Sequence, residues 1–282
     1  MPKPVWVFVA GPYRTGSTTH YEMTRDVVQM TGSGIAIGYH NERRLRSFDA
    51  LDLGDLEAVK ATYAEHKIEC PFTEPPKFSR QVPYVVCKVF EYLPDGFRDG
   101  PSHGQLIHRQ KRLRVIVSVR DPRDIITSMK RREEQRCDAG KNGAGFNFEE
   151  VATEKFPIWL GAAQHWADLG PDVALVSKFE DFTRDLEGEV RRIAAHLGIK
   201  IDDIAAQYIA ASYQVDAIRK RKDDFWQKRR KDPDVNEDPA LPSIPALLFA
   251  SSGQWQRELS KEEAEMVYAA NKGFFERFGY SK

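Results

Sequence analysis

Cysteine is scarce in this chain of 282 residues. Cys70, Cys87 and Cys137 are odd in number and show none of the spacings that hold a metal. A disulfide-stapled scaffold and a zinc module are therefore excluded, and the thiols read as reduced, in a reducing compartment. Long hydrophobic runs are missing as well. The first apolar run, Val5 to Ala10, is too short for a signal-peptide core or a membrane span, and no later run reaches spanning length. A soluble, cytoplasmic chain without a membrane partner is the expectation. Net charge is also lacking, since 42 Lys and Arg balance 42 Asp and Glu. No global field recruits nucleic acid, so any anion site must come from local clustering. There is no internal repeat and no low-complexity tail. The length suffices to bury a substantial core, read here as one domain over residues 1–282.

One further absence is local. Val5 to Met23 reads VWVFVAGPYRTGSTTHYEM: an apolar run, a glycine, a second glycine five residues on, then hydroxyl residues opening a helix. This is nearly the phosphate loop G-x-x-x-x-G-K-[ST], but Ser17 stands where the lysine belongs and the only cation is Arg14. A glycine-rich turn between a strand and a helix aims backbone N–H groups at one point, and the helix N-terminus adds partial positive charge. Ser17, Thr18 and Thr19 can add hydroxyls. Such a loop suits an oxyanion. A nucleoside triphosphate also needs the lysine and Mg²⁺, so the missing lysine argues against a nucleotide kinase or NTPase. Without a ligand the same segment is simply a tight strand-to-helix turn.

Four short apolar runs read as strands: Val5–Ala10, Tyr84–Val89, Leu113–Val119 and Val173–Ser177. Helical patterns follow at Ser17 to about Met30, with Thr15 or Ser17 as N-cap, and at Asp121–Arg136, Phe148–Leu169, Phe182–Leu197, Asp202–Ala211 and Lys261–Phe278. Strands alternating with helices predict an α/β three-layer sandwich around a central, mainly parallel sheet. Asp232 to Gly253 carries four prolines and reads as a long surface loop. The run Arg219–Lys231 is strongly basic, as a solvated helical face would be.

Several segments together resemble the sulfotransferases that use 3′-phosphoadenosine 5′-phosphosulfate (PAPS). Arg14-Thr15-Gly16-Ser17-Thr18-Thr19 is similar to the loop that binds the 5′-phosphosulfate in that family. VIVSVRDPRDIITSMKR, from Val115, resembles its 3′-phosphate motif, with Arg120 and Ser128 at the matching positions. SKFEDFTRDLEGEVRRIAAHLGI, from Ser177, resembles its Tyr-Glu-Asp-Leu segment and the helix that follows, with Phe179 in place of the tyrosine. Gly253-Gln254-Trp255 and the terminal helix resemble its Gly-x-Trp segment. The resemblance implies the P-loop NTPase-like sulfotransferase fold, PAPS as co-substrate without a metal, and sulfuryl transfer to a hydroxyl or amine of a small-molecule or carbohydrate acceptor. It implies that Tyr213 stacks on the adenine. The Arg-Lys-Gly that often precedes Gly-x-Trp is replaced by Phe249–Ser252, where Ser251 and Ser252 can donate to the 3′-phosphate. Ile35–Phe78, Gln135–Phe148 and Asp232–Phe249 are expected to line the acceptor pocket.

The proton acceptor departs from the cytosolic branch, which ends its second strand with Lys-Thr-His. Here the strand continues Lys88-Val89-Phe90-Glu91, so the lysine is matched and the histidine is not. Glu91 is one replacement. Glu42, in GYHNERR beside His40, is preferred, because it resembles branches acting on carbohydrates or protein tyrosine whose glutamate base lies in this region. His20 is a third candidate. The missing histidine also leaves open an inactive module that only binds adenosine 3′,5′-bisphosphate (PAP). Replacing whichever glutamate is the base by Gln should cost ~10²–10⁴-fold in turnover; full rates in both Glu42→Gln and Glu91→Gln would exclude a carboxylate base.

Overall fold

A computed structural model describes residues 3–39, 42–89, 103–138, 146–231 and 252–282. Five strands form one sheet: β1 (Val5–Ala10), β2 (Gly34–Tyr39), β3 (Tyr84–Val89), β4 (Leu113–Val119) and β5 (Ala174–Lys178). Their order is β2-β3-β1-β4-β5, and every pair is parallel. Parallel strands need crossovers, so the chain supplies helices to both faces.

Alternation along β1 divides those faces. Trp6, Phe8 and Ala10 point to one core, together with Phe48 of α2 (Glu42–Ala50) and Tyr63 of α3 (Leu56–Glu65). The same core takes Ile107 of α4 (His103–Arg109), Ile125 of α5 (Pro122–Asp138) and Trp166 of α6 (Phe156–Ala167). Val7 and Val9 point to the other, with Met23 and Val27 of α1 (Ser17–Met30), Val190 of α7 (Leu186–His196) and Ile209 of α8 (Asp203–Ser212). The three-layer α/β sandwich expected from the sequence is thus present, with an all-parallel sheet.

Several boundaries differ from the sequence reading. β2 was not expected, and its Ile35 and Ile37 are fully buried core residues, not pocket lining. The helix expected over Phe148–Leu169 is interrupted by a π-helical turn, Val151–Lys155, before α6. The one expected over Phe182–Leu197 is a single turn, Phe179–Phe182, followed by α7, whose N-cap Asp185 accepts from the Gly188 N–H. The basic run belongs to α9 (Val215–Lys231), and the terminal helix is two, α10 (Lys261–Ala270) and α11 (Lys272–Phe278).

A buried polar cluster fixes α1 on the sheet. His20 Nδ1 is 2.7 Å from Ser118 Oγ of β4, and His20 Nε2 is 2.9 Å from Ser177 Oγ of β5 and 3.3 Å from Glu189 Oε1 of α7. Burial alone would raise the Glu189 carboxyl, but His20, Ser177 and Arg192 beside it hold it at about 2, below the 4.5 of an ordinary glutamate. A folded-state value below the unfolded one adds stability above the unfolded value, and that stability is lost as the pH falls toward the folded one. The unfolding free energy from urea titrations should therefore drop as the pH falls from about 5 to about 3, by ~2 kcal/mol, and drop less in Glu189→Gln.

Candidate active site

The loops after β1 and β4 meet at one edge of the sheet. Gly16 has φ 84, a left-handed conformation, and a Cβ there would lie 2.8 Å from Phe182 Cζ and 3.0 Å from Phe179 Cδ2. Only glycine satisfies both the dihedral and the contact. Gly16 is also the N-cap of α1, in place of the Thr15 or Ser17 expected from sequence, and no side chain caps the helix. The N–H groups of the first turn therefore have no side-chain cap among the described residues, as an anion at a helix N-terminus would need. Thr15 instead donates its hydroxyl to Pro12 O at 2.8 Å, closing the loop on itself. Ser17 and Thr19 are buried, and Thr18 is half-buried.

Arg14 is also left-handed, with φ 69, and its Nε donates to Ser128 Oγ of α5 at 2.9 Å. Arg120, at the end of β4 and 1% exposed, donates through Nη1 to the Arg14 carbonyl at 3.1 Å. The two motifs singled out in the sequence are thus in direct contact. Burial and the neighbouring charges of Arg132, Arg120 and Arg131 push the Arg14 guanidinium down to about 10. An anion placed here would relieve that repulsion.

The carboxylates next to Arg120 have other partners. Asp121 takes two hydrogen bonds from the Arg123 side chain, at 3.0 and 2.7 Å. Asp124 accepts the backbone N–H groups of Gly253 at 2.7 Å and Trp255 at 3.1 Å, while Arg123 lies 3.8 Å over the Trp255 ring. This explains the Gly-x-Trp segment: Asp124 clasps it to the start of α5. The chain end joins the same wall, with Arg123 Nη2 donating to Ser281 O at 2.8 Å and Tyr280 to Glu180 Oε2 at 3.1 Å. Glu180 Oε1 accepts the Asp121 N–H at 3.2 Å.

A cleft of about 550 Å³ is lined by Phe179, Phe182 and Tyr213 together with Arg184, Glu187 and Gln214. The Arg120 guanidinium sits 4.3 Å over the Phe179 ring. Tyr213 is only 2% exposed, and its hydroxyl donates to Asp26 Oδ2 at 2.6 Å. On the opposite side, Lys88 Nζ of β3 donates to Thr18 Oγ1 and lies 5.1 Å over the Tyr39 ring. Tyr39 and Tyr13, the latter edge-on to Trp159 at 5.8 Å, are both about half exposed at this rim.

The proposed bases fare differently. His20 is fully buried in the cluster beneath α1, which removes it as a candidate. Glu42 begins α2, but its side chain lies outside the described residues, as do Glu91, His40 and Ser251. Ser252 is described and exposed, next to the clasped Gly253. Among the described residues no helix is long and apolar enough to cross a membrane.

Comparison with known proteins agrees with this layout. Residues 4–203 match the sulfotransferase family profile, and the chain belongs to that family. Retinol dehydratase, solved with androsterone and the inactive cofactor PAP, superposes with a TM-score of 0.54 at 16% identity, covering 98% of this chain and 82% of that one. Its complex with retinol and PAP gives 0.56 at 15% identity, with the same coverage. Mouse sulfotransferase SULT7A1 with PAP gives 0.57 at 16% identity, covering 96% and 84%. At these identities the structural likeness speaks for the sulfotransferase fold. No curated protein sequence matches significantly.

Proposed function

We propose that the protein is an active sulfotransferase that moves a sulfuryl group from PAPS to a hydroxyl or amine of a small-molecule or carbohydrate acceptor. The observation that carries this reading is the contact of Arg14 with Ser128 and of Arg120 with the Arg14 carbonyl. It brings together the two motifs expected to bind anions, 114 residues apart for the first pair, at one turn. A nucleotide with phosphates at both ends of its ribose needs such a pair of sites, and the fork of arginine suits each. The adenine would lie toward Tyr213, which lines a neighbouring cleft with Phe179 and Phe182. Retinol dehydratase and the mouse enzyme were both crystallised with PAP, which supports a donor of this class.

When bound, PAPS supplies an activated sulfuryl group on its 5′-phosphate. Arg14, the open N–H groups of α1 and the Thr18–Lys88 pair would hold that end; Arg120, Ser128 and Ser252 would serve the 3′-phosphate. Transfer leaves negative charge on the phosphate oxygen, and prearranged donors lower its cost. Arg14, already crowded by like charge, gains most from that neutralisation. Tyr13 and Tyr39 edge the side from which an acceptor enters, with Glu42 or Glu91 as its proton acceptor. An ATP-hydrolysing reading would need a lysine at the position of Ser17, which is buried.

Two measurements test the proposal. PAP at a hundredfold excess over Kd should raise the melting temperature by about 5 °C or more, whereas Mg²⁺-ATP should not. Arg14→Ala should lower turnover with PAPS by ~10²–10³-fold, as loss of an oxyanion donor does elsewhere; an intact rate would overturn the assignment.

A further inference from the structure

Two adjacent residues in the turn after β5 grip Arg120 from two directions. The Phe179 ring lies 4.3 Å from its guanidinium, a cation–π contact between two buried residues. The next residue, Glu180, accepts through Oε1 the backbone N–H of Asp121 at 3.2 Å, and Asp121 directly follows Arg120. Side chain and main chain of one arginine are thus fixed by a single turn. The same Phe179 packs against Gly16, and Arg120 reaches the Arg14 carbonyl, so this turn serves both motifs of the donor site.

Glu180 is itself held. Its Oε2 accepts the Tyr280 hydroxyl at 3.1 Å. The Tyr280 ring lies parallel to that of Phe274 in α11, with 6.3 Å between centroids, and Phe275 meets it edge-on at 6.4 Å. Phe274 and Phe275 belong to the buried core, so Tyr280 ties the Glu180 carboxylate to a close-packed part of the fold. Each carboxylate oxygen therefore has a donor from the protein. By charge alone a carboxylate beside a phosphate site repels the ligand. What Glu180 contributes is the backbone it holds: it satisfies the N–H of Asp121 just before α5, where a buried N–H left without a partner is costly.

We infer that Glu180 is a positioning residue for the 3′-phosphate end of the donor site: it acts on Arg120 through the Asp121 N–H, and Tyr280 holds it in turn. The inference rests on the donor site proposed above. Removing the carboxyl group frees the peptide that follows Arg120, and the guanidinium loses its fixed place over Phe179. The 5′ end, assigned to Arg14 and the first turn of α1, feels that change only through the Arg14 carbonyl.

Calorimetric affinities for PAP and for adenosine 5′-monophosphate, which lacks the 3′-phosphate, separate the two ends. In Glu180→Ala the ratio of the two affinities should fall by ~10-fold or more, as an orphaned N–H beside a charged contact implies. Glu180→Gln keeps an oxygen for the Asp121 N–H and should restore most of the ratio. Tyr280→Phe should lower it by less than Glu180→Ala. Equal losses for both nucleotides in Glu180→Ala, or no loss, would mean a merely structural role and overturn the inference. Should that variant fail to fold, Tyr280→Phe decides: a lowered ratio supports the link and an unchanged one overturns it. NMR of arginine-labelled protein, with Arg120→Lys to assign the signal, follows the ring-current shift of Arg120 over Phe179 without any ligand. That shift should collapse in Glu180→Ala and persist in Glu180→Gln; persistence in both overturns the inference. An unsubstituted protein that binds PAP no more tightly than the monophosphate would refute the donor site instead, with the Arg120 signal still deciding the link to Glu180.

Discussion

The site is built around a glycine pressed against two aromatic rings. Because Gly16 packs on Phe179 and Phe182 and turns left-handed, the first turn of α1 starts at a fixed point above the sheet. That point sets the direction of its N–H groups, the place of Thr18 and the backbone of Arg14. A methyl group at residue 16 would push α1 away from the segment carrying Phe179 and Phe182. Arg14, Thr18 and the first turn of α1 would then move relative to Arg120. Geometry of this kind is maintained by packing, and the polar contacts follow from it.

The loop lacks the usual lysine, and three parts of the fold bring cations to it instead. The loop supplies Arg14 three residues before the usual position. The neighbouring strand β3 supplies Lys88, whose ammonium reaches the hydroxyl of Thr18 from the far side. Strand β4 supplies Arg120. Since β1 lies between β3 and β4, both flanking strands end beside the loop, and each can deliver one cation. Parallel sheets make this convergence available, because successive strand ends open on the same edge.

Much of this was legible in the sequence, and the misses have physical causes. The buried strands β1, β3 and β4 announced themselves as short runs bounded by turn residues, and their expected limits agree with the fold. β2, Gly34–Tyr39, did not, because glycines at positions 34 and 38 leave too few apolar residues for a pattern. The Arg14, Arg120 and Ser128 motifs stood out by resemblance, yet no local signal said that the first would touch the last. The breaks at Val151–Lys155 and Thr183–Asp185 were hidden by the same helical periodicity that revealed the helices around them.

The attachment of Tyr280 and Ser281 to the cationic wall has a consequence for the order in which the fold assembles. Tyr280 and Ser281 reach back to Glu180 and Arg123, which flank the segment carrying Arg120. During synthesis the sheet and the glycine turn can assemble from earlier parts of the polypeptide, since domains fold largely as they emerge. The wall beside Arg120 is completed only once Tyr280 and Ser281 have emerged, well after the sheet strands. A nascent chain would thus acquire its sheet before that wall.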